Sequence, residues 1–185
     1  TITATNGSAS ATATTTVTQV AAAVALAPTS LSFASAGDTA TVVPTVTDAL
    51  GATMSGATVT WTTSDTAVAT VSSAGLVTSV ADGTATITAT SGSVNKTATA
   101  TVSQVAAGVA LAPTSLSFTS LGDTATVVPT VTDALGATMP SPTVTWTTSD
   151  DAVATVSSAG LVTSVAIGVA TITATSGSAS ATASV

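Results

Sequence analysis

The chain has 185 residues, a formal net charge of −7 and a single cationic side chain, Lys96. Because phosphate binding needs clustered Lys or Arg, this composition excludes a nucleic-acid partner and argues against binding to an anionic membrane surface. Aromatic residues make up only 2% and Cys is absent, so the core must be built from small and β-branched side chains without disulfides.

Thr and Val are abundant and favour strands, whereas Glu, Gln, Lys and Arg are almost absent, so an all-β fold is expected. No apolar stretch approaches the roughly 18 to 20 residues that a membrane-spanning helix needs, and no membrane span is predicted. Neither a start Met nor a signal sequence opens the chain, and residue 1 is therefore expected to be a processed or excised end.

Residues 1–20, from Thr1 to Val20, contain two alternating runs, residues 1–5 and 9–17, with Asn6 and Gly7 between them. An Asn-Gly pair between alternating runs is a strong hairpin signal. An isolated two-stranded hairpin is only marginally stable in water, so this segment is expected to need a partner.

The following residues form short alternating runs separated by Gly, Pro, Asp and Ser, which is typical of antiparallel strands joined by turns. Pro28 breaks the first run and is tolerated at a sheet edge or where a strand changes sheets. Asp48 begins a predicted turn that Gly51 ends. The predicted strands cover residues 24–33, 39–47, 58–62, 67–71, 75–80, 84–89 and 97–102. Seven short strands in a segment of this length predict an antiparallel β-sandwich.

An internal repeat organises the chain. A shift of 85 residues superposes Trp61 on Trp146, and residues 21–100 and 106–185 differ at fourteen of eighty positions without a gap. The same shift places residues 1–20 on residues 86–105. We therefore predict a first repeat at residues 21–105, a second at residues 106–185, and at residues 1–20 the C-terminal hairpin of a preceding repeat.

Two interpretations of residues 1–20 remain open, with a disordered leader as a third. In one, the segment adds to the sheet of another copy and makes a head-to-tail fibre. In the other, the chain is a window from a longer array, and the hairpin belongs to the preceding repeat.

The runs VALAPTSLSF, GDTATVVPTVTDALG, ATVTWTTSDTAVATVSSAGLVTSV and GTATITATSGS resemble the bacterial immunoglobulin-like domain, group 2, which occurs in repeated arrays on bacterial surface proteins. The most specific part spans residues 61–89 and recurs at 146–174, where Ile167 and Val169 replace Asp82 and Thr84. The resemblance implies tandem Greek-key sandwiches outside the cell or on its surface, used as spacer, stalk or adhesive modules.

Catalysis is not expected. Acid–base and nucleophilic mechanisms need a group that titrates near neutrality or a base beside the nucleophile. The chain has no His, Cys, Glu, Tyr or Arg, and its Ser and Thr residues have no evident activating partner. We predict neither a catalytic residue nor a cofactor.

Carboxylates suggest calcium as a weak alternative to turn chemistry, because Ca²⁺ takes several oxygen ligands. The candidate ligands are Asp48, Asp65 and Asp82 in the first repeat, and Asp133, Asp150 and Asp151 in the second. In the turn interpretation, Asp48 and Asp133 start turns, whereas Asp65 and Asp150 cap the loop after the Trp strand. Because the set differs between the repeats, turn chemistry is preferred and no metal site is predicted.

Four aromatic residues are predicted core markers: Trp61, Trp146, Phe33 and Phe118. Each Trp lies on a strand between inward Val and outward Thr, where sandwich domains bury a Trp. Stacking on a carbohydrate is the less favoured alternative.

Asn6 and Asn95 both lie in N-x-S/T triplets and are candidate glycan acceptors. The signal is weak, because Ser and Thr are so abundant that any Asn has a good chance of a matching neighbour.

The repeats favour a structural function, in which near-identical modules meet in the same way along the chain. Along the sequence, the differences cluster only at residues 55–57 against 140–142 and 94–96 against 179–181. The alternative is an adhesin module that binds a host protein or a glycan, but the sequence has no evident exposed aromatic or Arg anchor.

Overall fold

The computed structural model describes all 185 residues and contains nineteen strands and no helix. The first two strands, β1 (Ile2–Asn6) and β2 (Ala9–Ala13), form the predicted N-terminal hairpin. Its turn lies one residue later than the Asn-Gly signal placed it, at Gly7 and Ser8, because Asn6 pairs with Ala9. Gly7 has φ +61°, whereas Ser8, like every residue of the chain other than glycine, has no positive φ. A two-residue turn with a positive φ at its first position only, occupied by glycine, is of type II′.

Nine strands build the first repeat. They are β3 (Ala23–Ala27), β4 (Ser30–Phe33), β5 (Thr39–Thr41), β6 (Val43–Thr47), β7 (Thr60–Thr63), β8 (Ala69–Val71), β9 (Leu76–Ser79), β10 (Gly83–Ser91) and β11 (Val94–Val102). One layer has the order β4-β11-β10-β7, and the other combines β3-β6 with β5-β9-β8. Strands β5 and β6 flank Val42, whose N–H donates to the Gly75 carbonyl at 2.9 Å, so the second layer is continuous. This is the predicted immunoglobulin-like sandwich.

Pro28 lies where the chain changes layers. Strand β3 pairs antiparallel with β6, and β4, after the proline, pairs parallel with β11 in the opposite layer. Because Pro has no N–H to donate to a ladder, it is well suited to the break between the two pairings. The sequence allowed this proline either at a sheet edge or where a strand changes sheets, and the structure shows the second of these.

Small and β-branched side chains from both layers fill the core, as the composition predicts. Ile87, Val42 and Val77 are completely buried in the first repeat. Trp61 packs against this core but is only half-buried, less than the sequence suggested. Its ring lies against Gly75, where a Cβ would lie 2.9 Å from Cζ2 of Trp61, so only glycine fits at this position.

The second repeat reproduces this arrangement with eight strands. They are β12 (Gly108–Ala112), β13 (Thr124–Thr126), β14 (Val128–Thr132), β15 (Thr145–Thr148), β16 (Ala154–Val156), β17 (Leu161–Ser164), β18 (Thr171–Ser176) and β19 (Ala179–Ser184). No strand corresponds to β4, and only a parallel bridge between Ser115 and Ser184 remains of that pairing. Phe118 is consequently half-buried, whereas its counterpart Phe33 is buried.

Candidate functional site at the junction between the repeats

Asp133 starts the turn after β14. Its Oδ1 accepts hydrogen bonds from the backbone N–H groups of Leu135 and Ala137, both at 3.0 Å. The turn closes when the Gly136 N–H donates to the Asp133 carbonyl at 3.0 Å. Asp at the first position and Gly, with φ +83°, at the fourth explain why the sequence turns here, as predicted.

The second oxygen of Asp133 reaches the other repeat. Its Oδ2 accepts from the backbone N–H of Ala36, in the loop between β4 and β5, at 2.8 Å. It also accepts from Nε2 of Gln104, in the segment between β11 and β12, at 2.9 Å. Asp133 is only 3% exposed, and its four donors satisfy the carboxylate. We name Asp133, Gln104 and Ala36 the clasp.

The segment that connects the repeats is bonded along its whole length. The N–H groups of Ser103 and Val105 donate to the carbonyls of Phe33 and Ala34, both at 2.9 Å. Between them, the Gln104 N–H donates to Oδ1 of Asp82 at 2.6 Å. On the side of the second repeat, the Ala107 N–H donates to the carbonyl of Thr132, at the end of β14, at 2.8 Å. The connection therefore has no free linker.

Burial and hydrogen bonding act in opposite directions on Asp133. Burial raises the pKa of its carboxyl, but hydrogen bonds from Gln104 Nε2 and from the N–H groups of Ala36, Ala137 and Leu135 outweigh burial and hold the pKa below the usual aspartate range. The clasp therefore contains a carboxylate at neutral pH. All four donors are uncharged, so the clasp needs no basic residue.

The first repeat presents half of the same arrangement. Oδ1 of Asp48 accepts from the N–H groups of Leu50 and Ala52 at 3.0 and 2.9 Å, and Oδ2 accepts from Nε2 of Gln19 at 3.0 Å. The hydrogen bond from Gln19, followed by that from Ala52, lowers the pKa of Asp48. No donor takes the place that Ala36 has at Asp133.

Sequence reasoning predicted both turns but missed the clasp. A usable signal was present, because Gln19 and Gln104 are the only two glutamines and each precedes its turn aspartate by the same distance. The contact depends on how one repeat sits on the next, which no local pattern reports.

The other candidate carboxylates lie apart. Oδ1 of Asp65 accepts from the Ala67 N–H at 2.8 Å, and Oδ1 of Asp150 accepts from the Ala152 N–H at 2.9 Å, which is the predicted cap after the Trp strand. Asp151 is exposed. Nowhere does the structure group three carboxylates that could hold a metal ion, so the calcium candidates are not brought together.

The remaining predicted positions are distributed over the surface and the core. Trp146, like Trp61, is half-buried against the core of its repeat. Asn6 and Asn95 are both exposed. Glycosylation at these two positions stays a prediction.

Two sandwiches joined by a hydrogen-bonded connection define the molecule as a tandem array of immunoglobulin-like modules. Residues 20–102 and 107–185 match the family described as bacterial Ig-like domain (group 2), and the chain belongs to that family. This confirms the resemblance seen in the sequence. No curated protein sequence matches the chain. The structure contains no helix that could span a membrane.

Several solved structures are similar to this chain. Surface layer protein SbsC, domains 1–6, is 28% identical, with 78% of this chain and 22% of that chain covered and a TM-score of 0.41. The Yersinia pseudotuberculosis adhesin InvE is 20% identical, with coverages of 88% and 58% and a TM-score of 0.45. The Escherichia coli adhesin FdeC is 17% identical, with coverages of 86% and 62% and a TM-score of 0.41. The chain thus spans less than a quarter of the SbsC fragment that it matches.

Proposed function

We propose that the chain is a non-enzymatic structural module of an extracellular bacterial surface or fibre protein, where it acts as a stalk, spacer or filament subunit. The clasp is the observation that carries this proposal, because it joins neighbouring modules by buried hydrogen bonds. Membership of the bacterial Ig-like family supports a location outside the cell. The absence of His, Cys, Glu, Tyr and Arg from the sequence supports a function without catalysis.

A stiff connection is what a spacer needs. A flexible linker lets the ends of a chain approach each other, so its reach grows only with the square root of its length. Here the connecting segment is bonded to both repeats, and Asp133 is bonded to both as well. Each added repeat then extends the array by a constant step.

An adhesin module that binds a host protein or a glycan is the alternative. Binding hot spots are enriched in exposed Trp, Tyr and Arg. The chain lacks Tyr and Arg, and both Trp side chains pack against the cores. A structural role therefore takes precedence, with head-to-tail assembly through residues 1–20 as a further part of the proposal.

The experiment measures the distance between the repeats. Because the chain has no Cys, Ser73→Cys and Ser158→Cys place one spin label on an exposed turn of each repeat. Asp133→Asn keeps an oxygen for the turn but turns an NH₂ group toward two donors, so we expect the narrow distance distribution to broaden.

Asp48→Asn is the matched control, since it makes the same change in the same turn of a repeat on which no sandwich is docked. It should leave the distribution unchanged. A distribution that is equally broad in the unsubstituted protein, or unaffected by Asp133→Asn, would remove the basis for a stiff spacer.

A further inference from the structure

The two donors that the first repeat supplies to the clasp lie outside its strands. The Ala36 N–H belongs to the loop between β4 and β5, and Gln104 lies in the segment after β11. Hydrogen bonds along the connecting segment already hold Gln104 in place. Because a loop has no strand ladder to fix its peptide groups, another contact must direct the Ala36 N–H toward Asp133.

Ser79 holds this loop. It is the last residue of β9, the central strand of the β5-β9-β8 sheet, and it is 2% exposed. Its carbonyl accepts from the Gly37 N–H, and its own N–H donates to the Asp38 carbonyl, both at 2.9 Å. Its hydroxyl donates to the Ser35 carbonyl at 2.7 Å, and Oγ also lies 3.1 Å from the Asp38 carbonyl oxygen. The loop is therefore bonded to the first sandwich on both sides of Ala36.

The hydroxyl bond and the clasp bond share one peptide group. The carbonyl of Ser35 and the N–H of Ala36 belong to the same amide, which is planar and trans. In a trans amide, the C=O and the N–H point in opposite directions. The Ser79 hydroxyl holds the carbonyl side of this plane at 2.7 Å, and Asp133 Oδ2 accepts from the other side at 2.8 Å. A rotation of the plane that breaks one bond also misaligns the other.

Burial strengthens this pair of bonds. Ser79, Ser35 and Asp133 are all buried. Hydrogen bonds are electrostatically stronger in the interior of a protein than in water, and bonds in a chain polarise one another. The Ala36 N–H is thus a better donor to Asp133 when a hydroxyl holds the carbonyl of the same amide.

Backbone pairing alone does not supply the bond to Ser35. Any residue except proline at position 79 could make the two backbone bonds to Gly37 and Asp38. No backbone N–H donates to the Ser35 carbonyl, and the Ser79 hydroxyl is its donor. The hydroxyl is therefore the feature of Ser79 that acts on the amide of Ala36.

The second repeat contains a matched copy of this bond. The shift of 85 residues aligns Ser79 with Ser164, whose hydroxyl donates to the Ser120 carbonyl at 2.8 Å. Neither Ser120 nor the next residue, Leu121, belongs to the clasp between these two repeats. The pair of serines thus separates what the hydroxyl does for its own loop from what it does for the joint.

We propose that Ser79 is a positioning residue of the joint, whose hydroxyl orients the Ser35–Ala36 amide so that the Ala36 N–H meets Asp133. This inference rests on the proposed spacer function and names the residue that couples the sandwich of one module to its contact with the next. Ser79 itself makes no hydrogen bond to the second repeat, so it acts only through the loop.

Ser79→Ala tests the proposal, because it removes the hydroxyl and keeps both backbone bonds. With spin labels at Ser73→Cys and Ser158→Cys, the distance distribution between the repeats should broaden relative to that of the otherwise unsubstituted chain. NMR titration of the Asp133 carboxyl gives a second measurement. A poorly aligned Ala36 N–H stabilises the carboxylate less, so the pKa of Asp133 should rise from its lowered value toward the ordinary aspartate range.

Ser164→Ala is the matched control. It removes the equivalent buried hydrogen bond and should lower the melting temperature by a similar amount, but it should change neither the distance distribution nor the pKa of Asp133. If it changes both as strongly as Ser79→Ala does, the effect is a general loss of stability and the proposal is wrong. The proposal also fails if Ser79→Ala lowers the melting temperature and leaves the distribution and the pKa as they were.

A double variant shows whether Ser79 acts through Asp133. In the Asp133→Asn background the distribution is already broad, so Ser79→Ala should broaden it no further. Added broadening as large as that in the unsubstituted background would mean that Ser79 acts by another route, which overturns the proposal. A broad distribution in the unsubstituted chain would refute the spacer function instead, and the titration of Asp133 would still test how Ala36 is oriented.

Discussion

Gly75 lies where a single methyl group should be strongly destabilising. Its φ is +79°, and a Cβ built there meets the Val42 carbonyl oxygen and lies 2.9 Å from Cζ2 of Trp61. A non-glycine residue in the left-handed region costs about 1 to 2 kcal/mol. Crowding in a packed core adds about 1 to 3 kcal/mol. Gly75→Ala should therefore lower the free energy of unfolding of the first repeat by about 2 to 5 kcal/mol.

Gly37→Ala supplies the matched control. Gly37 has φ +83°, but no atom lies within 4 Å of its Cβ position, so only the backbone term of about 1 to 2 kcal/mol applies. Urea unfolding followed by Trp fluorescence, in a Trp146→Phe background that leaves Trp61 as the reporter, measures both variants. Equal losses of stability for the two would refute the argument that the indole and the Val42 carbonyl close the space above Gly75.

Two further predictions concern charge. The pKa of Asp133 is lowered in the folded protein, so its contribution to the stability of the joint is fully present above the ordinary aspartate pKa and is lost as the pH falls through the lower folded value. The distribution of label distances between the repeats should therefore stay narrow at neutral pH and broaden only at a pH below the ordinary aspartate pKa. Asp133→Asn, already broad, should show no such transition. Lys96→Ala should change the free energy of unfolding by less than about 0.5 kcal/mol, because Lys96 is exposed. Val77→Ala, which deletes buried methyl groups, should cost about 2 kcal/mol, and a loss of similar size at Lys96 would show that ion pairing matters to this fold.

Much of the fold could be predicted from local patterns. Alternation gave the strands, and Pro28 marked a break between two of them, because a residue without an N–H cannot continue a ladder. The N-terminal turn was misplaced by one residue, since either Asn6-Gly7 or Gly7-Ser8 can occupy a two-residue hairpin loop. Only the observed pairing of Asn6 with Ala9 decides between them.

The candidate sites were less accessible to sequence reasoning. Asp133 looked like a turn residue, which it is, but its second oxygen acts across the junction to Ala36 and Gln104. Ser35 and Ser79 are 44 residues apart in the sequence and meet only because the fold brings the loop after β4 to the end of β9. Contacts of this kind depend on long-range topology, whereas periodicity reports only which face of a strand a residue occupies.

The clasp also has a genetic consequence. Its Gln, its Asp and its turn all recur at a spacing of 85 residues, within stretches that are almost identical in sequence. Unequal recombination between such copies removes or inserts whole multiples of that spacing and regenerates a complete joint at the crossover. Such an event would change the length of the array by whole repeats, and each product would still consist of complete modules.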